Sequence, residues 1–256
     1  MLKNKRGIIF GIANDHSIAW GIAKKLSEHG AELALTYQNK TLLKRVEPLA
    51  KQINSNFLLE CDFSEKKAIE NCFGNINKQW EKIDFVIHAV AFSDKNELNG
   101  RYITTSKKNF INTLNISCFS FTEISKYASK LMSNGGSLLT LSFYGANKVI
   151  PNYNVMGVAK AALETSVKYL SVDLGGQDIR VNAISAGPMR TLAGAAILKS
   201  REVYKFAVDN SPLNRNVELN EVGNAALYLV SDLSAAVTGE VHYVDCGFNV
   251  IGMPQL

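Results

Sequence analysis

Tyr153 and Lys160 stand seven residues apart within the stretch 143–164 of a 256-residue chain. A helix starting near Asn152 puts both side chains on one face, about 10 Å apart along the axis. Helical side chains lean toward the N-terminus, so the lysine arm reaches back toward the phenol. An ammonium near a phenol favours the phenolate and lowers a pKa that starts at about 10. That chemistry suits an acid, or a donor that meets negative charge on an oxygen.

Spacing alone is not diagnostic, because Tyr37 and Lys44 repeat it. Tyr37 ends an apolar, strand-like run. Tyr153 instead follows an apolar run at 137–141 and a loop holding Gly145 and Pro151, and it leads into a long alanine-rich helical pattern. The alternative for the pair is an interfacial tyrosine with a surface lysine.

The elements that must position the pair are legible along the chain. Strand-like runs at 6–10, 32–36, 57–60, 85–89, 137–141, 179–184 and 240–244 alternate with helix-like segments. Repeated βα units predict an α/β fold: one domain over 1–256, a doubly wound Rossmann-type parallel sheet of about seven strands with helices on both faces. In the first helix Ile18, Ile22 and Leu26 recur at i, i+4 and i+8, Ser17 can cap the start and Gly30 can end it. Residues 223–230 give another apolar-rich helix. Residues 189–210 are less regular and are expected to form a substrate-binding lid.

Composition excludes several classes. At 46% hydrophobic and 20% charged the chain is ordinary globular protein, and its net charge of +5 is scattered, so no nucleic-acid partner is expected. The N-terminus imitates a signal peptide, but Asn14 and Asp15 end its apolar run, and a buried first strand is the better reading. No apolar segment approaches the length needed to cross a bilayer. Cys61, Cys72, Cys118 and Cys246 are widely spaced, without a CxxC pair or nearby histidines, so neither disulfides nor a metal site is indicated. The chain reads as cytosolic, with buried free thiols.

The first strand leads through the turn 11–21 directly into the first helix. Free backbone N–H groups and the helix dipole make such a turn an anion site. It is not the G-x-G-x-x-G fingerprint, and a turn rich in glycine and alanine also serves packing alone. Doubly wound sheets bind ligands at the carboxyl ends of their strands. Gln38 falls there after strand two, where an acid normally holds the adenosine ribose. Asp62 follows strand three, Val90 and Ala91 follow strand four, and 188–193 follow strand six. Asp62, ahead of Ser64 and a helix, serves equally as a cap.

The G-x5-S-x-A-x-G turn, the Tyr-x6-Lys pair inside PNYNVMGVAKAALE, and the segments RVNAISAGPMRTLA and GEVHYVDCGF resemble the enoyl-acyl-carrier-protein reductases of bacterial type II fatty acid synthesis. These are a divergent branch of the short-chain dehydrogenases, and the resemblance spans residues 7–248. It implies a cytoplasmic enzyme, usually a homotetramer, that uses NADH to reduce the 2,3 double bond of an enoyl thioester borne by acyl carrier protein. By that resemblance Gly11, Ser17 and Ile18 line the cofactor, as do Gln38, Asp62 and Phe63. So do Val90, Lys160 and the loop with Met189, Thr191, Leu192 and Ala193. Ser93, Tyr153 and Met156 face the substrate, and Tyr153 and Lys160 are catalytic.

Three positions depart from the family pattern. Ala91 replaces a usual glycine, Cys246 replaces the first glycine of Val-Asp-Gly-Gly, and Phe143 replaces a second tyrosine. Phe143 is therefore expected to be an apolar wall of the acyl pocket. Two rivals stand beside this reading. A short-chain dehydrogenase acting on a carbonyl or alcohol would carry a serine where Thr140 stands, and Asn-Asn-Ala-Gly in place of His88-Ala89-Val90-Ala91. A non-enzymatic NAD(H)-binding protein would bind NADH without turnover. Gln38 favours NADH, although Lys40, Lys44 and Arg45 lie close enough to attract a 2′-phosphate. Lys199, Arg201 and Lys205, in the second half of the expected lid, are candidates for steering the acidic carrier protein, or else form a solvated helix face.

Overall fold

Strands buried on both faces read as continuous apolar runs. In the computed structural model, which describes residues 1–195 and 200–253, all seven such runs form strands. They are β1 (Arg6–Phe10), β2 (Glu32–Tyr37), β3 (Phe57–Glu60), β4 (Phe85–His88), β5 (Gly136–Ser142), β6 (Ile179–Ala186) and β7 (Val241–Val244). They make one parallel sheet in the order β3-β2-β1-β4-β5-β6-β7. The order reverses beside β1, and a doubly wound sheet opens its ligand crevice at that switch point.

The helices follow as α1 (Ile18–Glu28), α2 (Lys40–Gln52), α3 (Ala68–Trp80), α4 (Lys95–Leu98), α5 (Lys107–Leu114), α6 (Ser120–Ala128), α7 (Asn154–Gly175), α8 (Leu192–Ala195), α9 (Ser200–Asn210) and α10 (Leu219–Val230). A π-helical segment, Asn115–Phe119, joins α5 to α6. Alternate strand residues point to opposite faces. Ile8, Val86, Leu138 and Val181 pack with α3, α6 and α7. Ile9, Ile87, Leu139 and Ile184 pack with α1, α2 and α10 on the other side.

Several expectations need correction. Pairing carries β5 to Ser142 and β6 to Ala186, beyond the expected ends, because β5 and β6 pair over seven residues as far as Ser142 and Ser185, and Ala186 pairs with Val244 of β7. Ser17 precedes α1 but makes no side-chain cap. Its Oγ instead accepts from Ala13 N and Asn14 N, both at 3.1 Å, and so folds the turn back on itself. The expected irregular lid contains a regular helix, α9, whose Ala207 is buried beside Phe248 and Tyr144. Lys199 lies outside the described residues. All four cysteines are free, but Cys246, in a left-handed turn with φ of 58° after β7, is only half-buried. Among the described residues no helix is long and apolar enough to cross a membrane.

Candidate active site

Tyr153 is the residue just before α7, so the helix begins two residues later than Asn152. Tyr153 and Lys160 are both buried, at 7% and 5% exposure. Lys160 Nζ donates to the carbonyl of Leu141, in β5, at 2.7 Å. The expected lowering of the phenol pKa is reversed. Burial first, and then the nearby carboxylate of Glu164, hold Tyr153 well above the ordinary tyrosine value. Burial pushes Lys160 down to about 8, with Cys118 and Glu164 working the other way. Desolvation penalises whichever form is charged, so the same pocket moves the two groups in opposite directions. At neutral pH Tyr153 carries its proton and acts as an O–H donor.

An apolar cluster surrounds the phenol. Leu98, Val155 and Met156 are buried with Tyr153, and Phe143, Phe110, Leu114 and Ile150 pack against them. The rings of Phe143 and Tyr153 meet edge to face with centroids 5.1 Å apart. Gly145 permits this approach, since a Cβ there would lie 2.5 Å from the Tyr153 ring. Tyr144 turns to the other side and packs on Phe248 at 5.6 Å. Ser93 lies at the margin, where its hydroxyl accepts from Thr113 Oγ1 at 3.0 Å. The loop holding Ser93 hangs on Ser117 of the π-helical segment, which accepts from Phe92 N at 2.9 Å and lies 3.8 Å from Met156 Sδ.

The expected cofactor residues gather at the carboxyl ends of the strands. Gly11 has φ of 102°, and a Cβ there would come within 2.1 Å of the Ala89 carbonyl oxygen. Only glycine allows the turn after β1 to lie so close to the loop after β4. That closeness, ahead of the free N–H groups that open α1, fits a dinucleotide phosphate. Ile18 is half-buried against the core. Gln38 Nε2 donates to Asp62 Oδ2 at 3.1 Å, while Asp62 Oδ1 accepts from Ser64 N and Oγ at 2.9 and 2.8 Å. Burial would raise the Asp62 pKa, but these hydrogen bonds outweigh it and hold it below the usual value. Asp62 does not cap α3, which starts at Ala68 after Lys67. Phe63 sets its ring 5.7 Å from Phe10 and 6.3 Å from His88, and Val90 packs on the same core. After β6, Met189 packs inward, Thr191 Oγ1 accepts from Gly194 N at 2.9 Å and Leu192 is exposed. The side chain of Ala193 lies outside the described residues.

Two polar groups have neighbours that sequence reasoning did not find. His88 is fully buried in β4, with Nδ1 2.8 Å from Thr140 Oγ1 and Nε2 2.9 Å from Ser120 Oγ. Burial and the Lys160 charge lower its pKa to about 3, so the ring is neutral. Thr140 is thereby engaged inside the sheet. Glu164, 9% exposed, accepts from Ser142 Oγ and Asn147 Nδ2. Its signal in the sequence is a carboxylate one helical turn after Lys160, on the same helix face. Among the described residues no cluster of side chains could hold a metal ion.

A doubly wound sheet with a glycine-tight first turn and a buried Tyr–Lys pair at its carboxyl edge defines a Rossmann-type protein of the short-chain dehydrogenase kind. The family model described as enoyl-(acyl carrier protein) reductase matches residues 11–249, and the chain belongs to that family. It is similar to the NADH enoyl-acyl-carrier-protein reductase 2 of Rhizobium meliloti, with 58% identity over all of this chain and 96% of the relative. The Rickettsia typhi protein FabI is 56% identical over 100% of this chain and 98% of its own. Among solved structures, FabI from Candidatus Liberibacter asiaticus superposes with a TM-score of 0.97 at 54% identity, covering 99% of this chain and 98% of that one. The Anaplasma phagocytophilum reductase, solved in complex with NAD, gives 0.96 at 56% identity over 100% and 97%.

Proposed function

We infer that this chain is an NADH-dependent enoyl-acyl-carrier-protein reductase that saturates the 2,3 double bond of an enoyl thioester in fatty acid elongation. The observation that carries this reading is a phenol kept protonated by burial inside an apolar cluster, at the carboxyl edge of a dinucleotide-type sheet. The curated relatives named above are NADH reductases of this kind, and one similar structure holds NAD.

The amides of the turn at Gly11, Ser17 and Ile18 hold the phosphates of NADH, and Gln38, Asp62 and Phe63 hold its adenosine end. Val90, Met189, Thr191, Leu192 and Ala193 complete the cofactor site. When bound, NADH supplies the hydride for the β-carbon. Lys160 uses one donor on the Leu141 carbonyl, and its remaining donors hold the nicotinamide ribose and keep positive charge near the phenol. Tyr153 donates to the thioester oxygen as negative charge moves onto it. Phe143 and Met156 wall the acyl chain, and Ser93 borders it. Thr140, bonded to His88, is not free to serve as the hydroxyl of a carbonyl-reducing site.

The finer parts of the reading are a cytoplasmic homotetramer, with the described parts of the expected lid, 189–195 and 200–210, bounding the acyl entrance and acyl carrier protein as partner. Support for self-association comes from the edge position of β7 and from exposed Phe119, Tyr169 and Val172. The test mixes the chain with NADH and crotonyl thioester and follows the nicotinamide absorbance. Oxidation of NADH with the enoyl thioester alone is the expected result. Turnover confined to a ketoacyl thioester, or binding of NADH without turnover, would reject the reading.

A further inference from the structure

Two opposite charges are buried one turn apart on α7, Lys160 at 5% and Glu164 at 9% exposure. Consecutive residues of β5 hold them. The Leu141 carbonyl accepts from Lys160 Nζ at 2.7 Å, and the Ser142 hydroxyl donates to Glu164 Oε1 at 2.5 Å. Asn147 Nδ2 donates at 3.0 Å both to Glu164 Oε2 and to Tyr243 Oη. Ser185 pairs with Ser142 on one side and with Tyr243 on the other, and it brings a further buried hydroxyl to this edge. The donors around Glu164 are neutral, so they fix the carboxylate without cancelling its charge. Helix positions i and i+4 have Cβ atoms about 5–6 Å apart, and at that range a weakly screened charge acts strongly.

We propose that Glu164 is a positioning residue for the reductase reaction, the counter-charge that keeps Lys160 an ammonium at the working pH. The proposal rests on the role given above to Lys160. Burial alone favours the neutral amine, and with Glu164 present the Lys160 pKa of about 8 already lies close to neutrality. The other groups facing Lys160 do not supply an anion. Cys118 of the π-helical segment can hold the Lys160 proton only as a thiolate, and burial keeps its thiol above the ordinary value; His88 of β4 is a neutral ring and Tyr153 is protonated. Tyr243 of β7 reaches Glu164 through Asn147, and the Asp245 carboxylate after it acts on Tyr243. Removing the carboxylate therefore brings loss of the Lys160 proton into the neutral range.

The test is an NMR titration of the full chain labelled at the lysine side-chain nitrogen, with the Lys160 signal assigned by its loss in Lys160→Arg. In Glu164→Gln the Lys160 pKa should fall by about one pH unit, a tenfold loss of proton affinity. The alkaline limb of kcat/KM for the enoyl thioester should move down with it, while the rate at about pH 6 stays within about twofold. Glu164→Asp keeps the charge farther from Lys160 and should move both readouts by roughly half as much. Should Glu164→Gln fail to fold, the Asp variant decides: an unmoved Lys160 titration overturns the proposal. A loss of rate that is equal at every pH, with Lys160 titrating as in the parent, also overturns it. A parent chain whose Lys160 titration responds to Glu164 but which does not reduce the enoyl thioester would sink the proposed function and leave the coupling standing.

Discussion

The ring of Phe143 meets the ring of Tyr153 edge to face at 5.1 Å, while the neighbouring Tyr144 faces Phe248 on the other side of the extended backbone. One phenol therefore stands in the apolar cluster, with a phenyl wall beside it. Tyr153→Phe should lower kcat about a hundredfold, the cost of losing an oxyanion donor. Phe143→Tyr and Tyr144→Phe should each change it by less than about fivefold. Saturating NADH and one enoyl thioester suffice for the comparison. A Tyr144→Phe loss as large as that of Tyr153→Phe, with folding and NADH affinity intact, rejects the single-donor assignment.

Gly11 combines a left-handed φ of 102° with a 2.1 Å approach to the Ala89 carbonyl oxygen. Gly11→Ala should cost roughly 2 kcal/mol or more of stability and weaken NADH binding at least about tenfold, because the turn must open away from β4. Urea denaturation and fluorescence titration with NADH measure the two effects. Unchanged NADH affinity would remove the first turn from the cofactor site.

Cofactor preference should follow Gln38, whose amide is engaged with Asp62 in the place where an arginine would receive a 2′-phosphate. The Asp62 carboxylate repels an added phosphate. KM for NADH should be the lower of the two, and a tenfold lower KM for NADPH would show that Lys40, Lys44 and Arg45 dominate instead.

His88 makes stability depend on pH. Its folded pKa of about 3 lies below its ordinary 6.5, so the unfolded chain binds the extra proton between those values. Stability is therefore fully present above pH 6.5 and declines as pH falls toward 3, by at most about 1.4 kcal/mol per pH unit from this group. Chemical denaturation at a series of pH values should show that component in the parent and lack it in His88→Gln. An identical pH slope in the two proteins counts against it.

Arg201 and Lys205 are exposed on α9, within the segment expected to bound the acyl entrance. Reversing them to Glu should raise KM for carrier-bound substrate severalfold and leave KM for a coenzyme A thioester within about twofold, as expected for steering by surface charge. Equal effects on both substrates would make them an ordinary solvated face, which is how isolated surface charges usually behave.

Local pattern in the sequence determined the seven strands, the parallel α/β class, the glycine turn and the Tyr153–Lys160 spacing. Each depends on neighbours within a few residues, and short apolar runs between helical stretches have few alternatives. The family, too, was legible from those short segments taken together. Tertiary structure alone decided the sign of the Tyr153 shift, because burial and Glu164 act on the phenol more strongly than the lysine that sequence spacing suggested. It also decided that Ser17 folds the turn instead of capping α1, that Thr140 belongs to His88, and that Glu164 belongs to Ser142 and Asn147. Those partners come from separate elements whose adjacency exists only once β4, β5 and α7 are packed. Desolvation, which is the largest influence on Tyr153, Lys160 and His88, is a property of that packing and not of any residue's neighbours in the chain.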